Sequence, residues 1–131
     1  MTCFVDSSGI FALLDADDRH HRAATAVWGR LVSHHELLVT TNYVIIEVTA
    51  LLKKRFGIES VRAFHEDIIP LLQIEWIGRE SHNIGLQVLL HYGKSRLSLV
   101  DCTSFEQMRR LGIRTAFTYD RHFKEQGFEV A

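Results

Sequence analysis

Apolar residues in this chain come in two rhythms, short unbroken runs and longer stretches repeating every three to four positions, and the two alternate from one end to the other. Thr2-Cys3-Phe4-Val5-Asp6 reads as a short buried strand, after which Ser7 or Ser8 caps a helix running to about Leu14. Asp15-Ala16-Asp17-Asp18 breaks the pattern. Asp17 or Asp18 is placed to cap a helix in which Ala24, Val27, Trp28 and Leu31 share a face. Leu37-Leu38-Val39-Thr40 is the second strand, and Thr41 and Asn42 open a long helix that Gly57 ends. A further helix is expected from Ile58 to about Ile69, stopped near Pro70. Gln73 to Ile77 gives a third strand, Glu80 to Tyr92 a helix, and Gly93-Lys94-Ser95-Arg96 a basic loop. Ser98 to Leu111 is helical, Gly112 ends it, residues 114–118 form another strand, and Phe128-Glu129-Val130 a short edge strand.

Strands that alternate with helices imply a mostly parallel sheet flanked by helices, an α/β fold of Rossmann-like type, with residues 1–131 forming one domain. No repeat, low-complexity tract or linker interrupts it. No apolar run reaches the ~20 residues of a membrane span and no signal peptide is visible, so a cytoplasmic protein with no membrane association is expected. Cys3 and Cys102 are too few for a disulfide framework and read as small core thiols. The net charge of −1 counts against nucleic-acid binding by bulk electrostatics but leaves room for a local basic rim. The 8 histidines show neither a HExxH motif nor zinc-ligand spacing, and surface or capping roles are expected for most of them.

Four carboxylates break the apolar segments where an acid is costly. Asp6 and Asp120 end strand-like runs, Glu47 interrupts Val44-Ile45-Ile46-Glu47-Val48, and Asp101 follows Leu97-Ser98-Leu99-Val100. Glu47 has Val44 three residues before it and Leu51 four after, while Asp101 has Phe105 and Met108 four and seven residues on, so both helical acids are expected on packed faces. Ligands of open parallel sheets bind beyond the carboxyl ends of the strands, where two strand-end acids and two helical acids can converge. Like charges so close call for a cation, and an all-oxygen donor set suits a hard divalent ion. The remaining acids, Asp15, Asp17 and Asp18 among them, have polar neighbours and are expected at the surface or in caps. Ser7 and Asn42 are placed to hydrogen-bond the acids or a bound water, or simply to cap helices.

The segments Val5-Asp6-Ser7-Ser8, Thr40-Thr41-Asn42-Tyr43-Val44-Ile45-Ile46-Glu47-Val48, Ser98-Leu99-Val100-Asp101-Cys102-Thr103-Ser104-Phe105 and Thr118-Tyr119-Asp120-Arg121-His122-Phe123, in this order, resemble the PIN-domain nucleases, and among them the VapC-type toxins of bacterial toxin–antitoxin pairs. The resemblance spans essentially the whole chain, and each of the family's four acidic positions has a match. It implies an endoribonuclease dependent on Mg²⁺, with Mn²⁺ as a substitute, that hydrolyses phosphodiester bonds in structured RNA such as tRNA or rRNA. It also implies a homodimer silenced by an antitoxin protein, with Asp6, Glu47, Asp101 and Asp120 as the catalytic, metal-binding set. Lys94 and Arg96, just before the Asp101 helix, and Arg121 are candidates for holding phosphate. Two other classes compete. A scaffold that grips RNA or protein without cutting would look similar but has no need of four acids. An aspartyl-phosphate phosphatase wants a second Asp two residues after Asp6, where Ser8 stands, and the acidic pair of a response-regulator receiver is missing as well.

Overall fold

The computed structural model describes residues 1–131. Strand β1 (Thr2–Val5) leads through α1 (Ser7–Leu14) and α2 (His21–Ser33) to β2 (Leu37–Thr41). Helices α3 (Asn42–Phe56) and α4 (Ile58–Ala63) follow, then β3 (Gln73–Glu75), α5 (Arg79–Tyr92), α6 (Leu99–Leu111), β4 (Thr115–Phe117), α7 (His122–Glu125) and β5 (Glu129–Val130). The five strands form one sheet in the order β3-β2-β1-β4-β5, every neighbouring pair parallel. The expected α/β architecture is therefore present, with strand order reversing direction beside β1.

Consecutive residues Cys3, Phe4 and Val5 of β1 are all buried, as are Leu38 to Thr41 of β2. Successive side chains of a strand point to opposite faces, so burial of whole runs means both faces of the central sheet are covered. Phe4, Phe105, Phe117 and Phe123 anchor the core, Phe105 meeting Phe123 edge to face at 4.9 Å. Cys3 and Cys102 are buried free thiols within it. No helix is long and apolar enough to cross a membrane.

Two close approaches fix the helices that carry the site. A Cβ on Gly9 of α1 would come 2.5 Å from the Phe117 carbonyl oxygen, and one on Gly85 of α5 would come 2.5 Å from Thr103 Cγ2 of α6. Only glycine lets α1 lie on β4, and α5 on α6, at these distances.

Several boundaries differ from expectation for local reasons. Asp6, rather than Ser7 or Ser8, is the N-cap of α1, because its extended backbone lets its carboxylate accept from the Ser8 N–H. His20, not Asp17 or Asp18, precedes α2; Asp18 instead accepts from the His20 N–H at 2.8 Å. The helix expected over 58–69 ends as a true α-helix at Ala63, widens to a π-turn over Phe64–Ile68 and closes as a 3₁₀ turn over Ile69–Leu71. Strand β3 stops at Glu75, because Asn42 captures the Ile77 backbone, accepting from its N–H at 2.7 Å and donating to its carbonyl at 3.4 Å. Asn42 therefore ties α3 to the start of α5 and is not directed to the acids. Asp15 is not a surface acid: it is buried, accepts from the Asp17 N–H and pairs with Arg55 at 3.2 Å.

Candidate active site

Strand register sets the frame. Phe4 pairs with Val39 and Val5 with Phe117, so the next row across the sheet runs Thr41, Asp6, Thr118 at the carboxyl edge. Asp6 is 2% exposed, and its N–H donates to the Phe117 carbonyl. All its side-chain bonds converge on one oxygen. Ser8 Oγ donates to Oδ2 at 2.7 Å, Thr118 Oγ1 at 2.9 Å and the Ser8 N–H at 3.4 Å. Each hydroxyl has one proton, and both are spent on Asp6. The hydroxyl oxygens are then free to accept, Ser8 Oγ from the Tyr119 N–H at 2.9 Å and Thr118 Oγ1 from the Asp120 N–H at 3.0 Å. The polypeptide around Asp120 is thus tied to Asp6 through two hydroxyls, while Oδ1 of Asp6 has no hydrogen-bond partner in the protein.

Asp101 occupies the third position of α6 in a reciprocal capping box. The Ser98 N–H donates to Asp101 Oδ2 at 3.0 Å, and the Asp101 N–H to Ser98 Oγ at 3.1 Å. Cys102, Phe105 and Met108 of the same helix are buried, as an inward-facing α6 requires. Asp120 lies in the turn between β4 and α7; its Oδ1 accepts from the His122 N–H at 2.9 Å and lies 2.7 Å from His122 Nδ1. Like Asp6, Asp101 and Asp120 each keep one carboxylate oxygen without a partner. Ligand atoms of Asp101, Asp120 and His122 fall within 4.8 Å of one another.

The acids feel each other. Burial pushes the Asp6 carboxyl up to about 6, opposed by the hydrogen bonds from Ser8 and Thr118 and reinforced by the charge of Asp101. Asp101 is likewise raised, first by burial and then by the charge of Asp120, against the stabilising bonds from Ser98. A chain of repulsion therefore links Asp6, Asp101 and Asp120. A divalent cation fits this donor set: three half-satisfied carboxylates, each with a free oxygen, in a cluster short of positive charge.

The remaining expected residues stand differently. Glu47 is half-buried and makes no hydrogen bond or ion pair. The buried stripe of α3 is Val44, Val48 and Leu52, and Leu51 is 45% exposed, so Glu47 borders the packed face instead of lying within it. Ser7 makes no side-chain bond to the acids; Ser8 and Thr118 take that role. Lys94 and Arg96 are exposed without ion pairs in the loop leading to the α6 N-terminus, and Arg121 is exposed beside Glu125 at 3.7 Å. His122 was not singled out by sequence, although its Asp-x-His spacing after Asp120 is the signal that could have found it. His20, whose ring stacks on Tyr119 at 4.4 Å, is a second histidine with more than a surface role.

The PIN domain family signature matches residues 3–129, nearly the whole chain. The protein belongs to the PIN-domain family. It is 31% identical over 126 residues to the 23S rRNA-specific endonuclease VapC20 of Mycobacterium tuberculosis, an alignment covering 95% of this chain and 94% of that protein. The crystal structure of that VapC20, described as a Sarcin-Ricin loop cleaving toxin, superposes with a TM-score of 0.84 and 29% identity, covering 97% of this chain and 96% of the other. FitAcB from Neisseria gonorrhoeae shares the fold, with a TM-score of 0.73, 15% identity and coverage of 98% and 96%. Within this PIN domain, the carboxyl edge beside β1 and β4 carries the acids.

Proposed function

We propose that this PIN-domain protein is the toxin of a toxin–antitoxin pair, an endoribonuclease that hydrolyses phosphodiester bonds in structured RNA with Mg²⁺, or Mn²⁺, as cofactor. The observation that carries the reading is the gathering of Asp101 and Asp120, whose ligand atoms lie within 4.8 Å of each other and of His122, beside a buried Asp6 that feels the charge of Asp101, each acid with one oxygen fixed by the protein and one left free. We assign these three, with Glu47, to the metal. A bound divalent ion lowers the pKa of water and offsets charge developing on the phosphate. The residues supply the rest. Ser8 and Thr118 hold Oδ2 of Asp6 and so aim Oδ1; the Ser98 N–H does the same for Asp101, and the His122 N–H for Asp120. A free carboxylate oxygen accepts the proton of the attacking water, so no separate base is needed. Arg96, Lys94 and Arg121 steer the RNA backbone.

Ribosomal RNA is the first substrate to test, since the 31% identical relative acts on 23S rRNA. The partner proposed for silencing is an antitoxin that brings an arginine to the carboxylates and competes with the cation. Ile46 and Leu51 of α3 and Ile84 and Leu90 of α5 are exposed and supply apolar surface for a homodimer. Purified protein incubated with total cellular RNA in Mg²⁺ should give discrete ends that EDTA abolishes. Identical RNA profiles with and without protein in Mg²⁺ would overturn the nuclease reading.

A further inference from the structure

Beside the acids, at the β4–α7 end of the site, lies a cleft of about 240 Å³ lined by Thr118, Tyr119, Asp120, Arg121, Lys124 and Val130. Its wall changes character within a single turn. Asp120 belongs to the acidic cluster, while Arg121 and Lys124, three residues apart at the start and within the turn of α7, are exposed cations. Arg121 shares its charge with Glu125, but Lys124 makes no ion pair, so its charge is available to a ligand. Tyr119 brings an aromatic ring that is not free to swing: it is stacked on His20 with 10° between ring planes, and its N–H is bonded to Ser8 Oγ. Asp18 in turn holds the His20 backbone.

We infer that this cleft is a nucleotide subsite, in which Lys124 takes the phosphate next to the scissile one and Tyr119 contacts the base between them. The inference rests on the nuclease reading and names how RNA is threaded across it. An anionic ligand is selected by Lys124, the exposed cation of the cleft with no ion pair, with Arg121 beside it. Aromatic contact selects a ligand with a π-face, and continuity with Asp120 places it one step along the same strand from the metal-binding edge. Phosphate-positioning cations beside a braced aromatic are the combination that single-stranded nucleic acid requires.

The test separates the subsite from the chemistry by measuring binding in EDTA, where no cleavage is needed. A labelled oligouridylate is titrated at several salt concentrations against wild type, Lys124→Ala, Lys124→Arg and Tyr119→Ala, with thermal melts confirming that each variant folds. Lys124→Ala should flatten the plot of log affinity against log salt by about 0.7, one phosphate contact on a single strand, and Lys124→Arg should restore it. Tyr119→Ala should weaken oligouridylate binding about tenfold yet leave binding of an abasic ribose-phosphate oligomer unchanged. With cleavage, Lys124→Ala should raise KM while kcat holds. An unaltered salt slope in Lys124→Ala, whether the cleft is empty or covered by protein, overturns the subsite. Loss of cleavage by the wild type with the slope change intact would sink the nuclease reading alone.

Discussion

Replacing Asp6 by asparagine should stabilise the metal-free protein while removing its activity. Burial, with a contribution from Asp101, raises the Asp6 carboxyl from 3.8 to about 6, which corresponds to about 3 kcal/mol against the ionised form. The sign follows from linkage. An acid whose folded value is raised favours the fold fully below the unfolded value of 3.8, and that contribution is lost as pH rises through about 6. The asparagine side chain would not titrate, and its amide oxygen can take the place of Oδ2, where Ser8 and Thr118 already donate. Its NH₂ then occupies the position of the free Oδ1, so no buried bond is broken. The advantage of Asp6→Asn should therefore grow from well under ~1 kcal/mol at pH 4 to about 3 kcal/mol above pH 7, on the order of 10 °C in Tm at pH 8. Thermal denaturation in EDTA between pH 4 and pH 8 measures it. Adding Mg²⁺ should raise the wild-type Tm and move the variant less, narrowing the gap. If the two proteins melt together in EDTA at pH 8, or if their difference is the same at every pH, Asp6 is not the strained group described here.

Asp101→Ala should reduce cleavage by at least a hundredfold yet leave RNA binding in EDTA equal or tighter, because it removes a repulsive charge; weaker binding in EDTA would argue against that role. Arg96→Ala should lower RNA affinity and flatten its salt dependence without changing metal affinity, and an unaltered slope would make the 93–96 loop a solvated surface. Gly9→Ala should cost at least about 2 kcal/mol, since the new Cβ would meet the Phe117 carbonyl, a backbone atom that cannot rotate away. Chemical denaturation giving a loss under about 0.5 kcal/mol would show that α1 can shift on β4.

What the sequence disclosed and what it hid divide along physical lines. The alternation of strands and helices was legible, because burial on both faces leaves unbroken apolar runs such as Cys3-Phe4-Val5. Asp101 was legible too: Phe105 and Met108 fix the inward face of α6 through helical spacing alone. Glu47 was harder, because Val44 and Leu51 fit more than one face, and only the packed stripe Val44, Val48, Leu52 decides. Ser8 was obscured by Ser7 beside it. Once Asp6 is the N-cap, Ser8 is the second helical residue, whose N–H and hydroxyl both reach the capping carboxylate. Thr118, Asn42 and Asp15 depend on partners 112, 35 and 40 residues away, Asp6, Ile77 and Arg55, and no local pattern carries such contacts.

The pairing of β1 with β4 has a temporal consequence. Asp6 and Asp120 lie far apart along the chain, and of the hydroxyl pair that joins them Ser8 comes from beside the first and Thr118 from beside the second. Everything between must be made before the carboxylates can meet, so a nascent chain has no complete acidic cluster until Asp120 has been added. A chain interrupted before Asp120 lacks that cluster, whatever the state of its other strands. Under the proposed nuclease reading, cutting competence begins only once β4 and the turn after it have joined β1, and an inhibitor has that interval in which to be present.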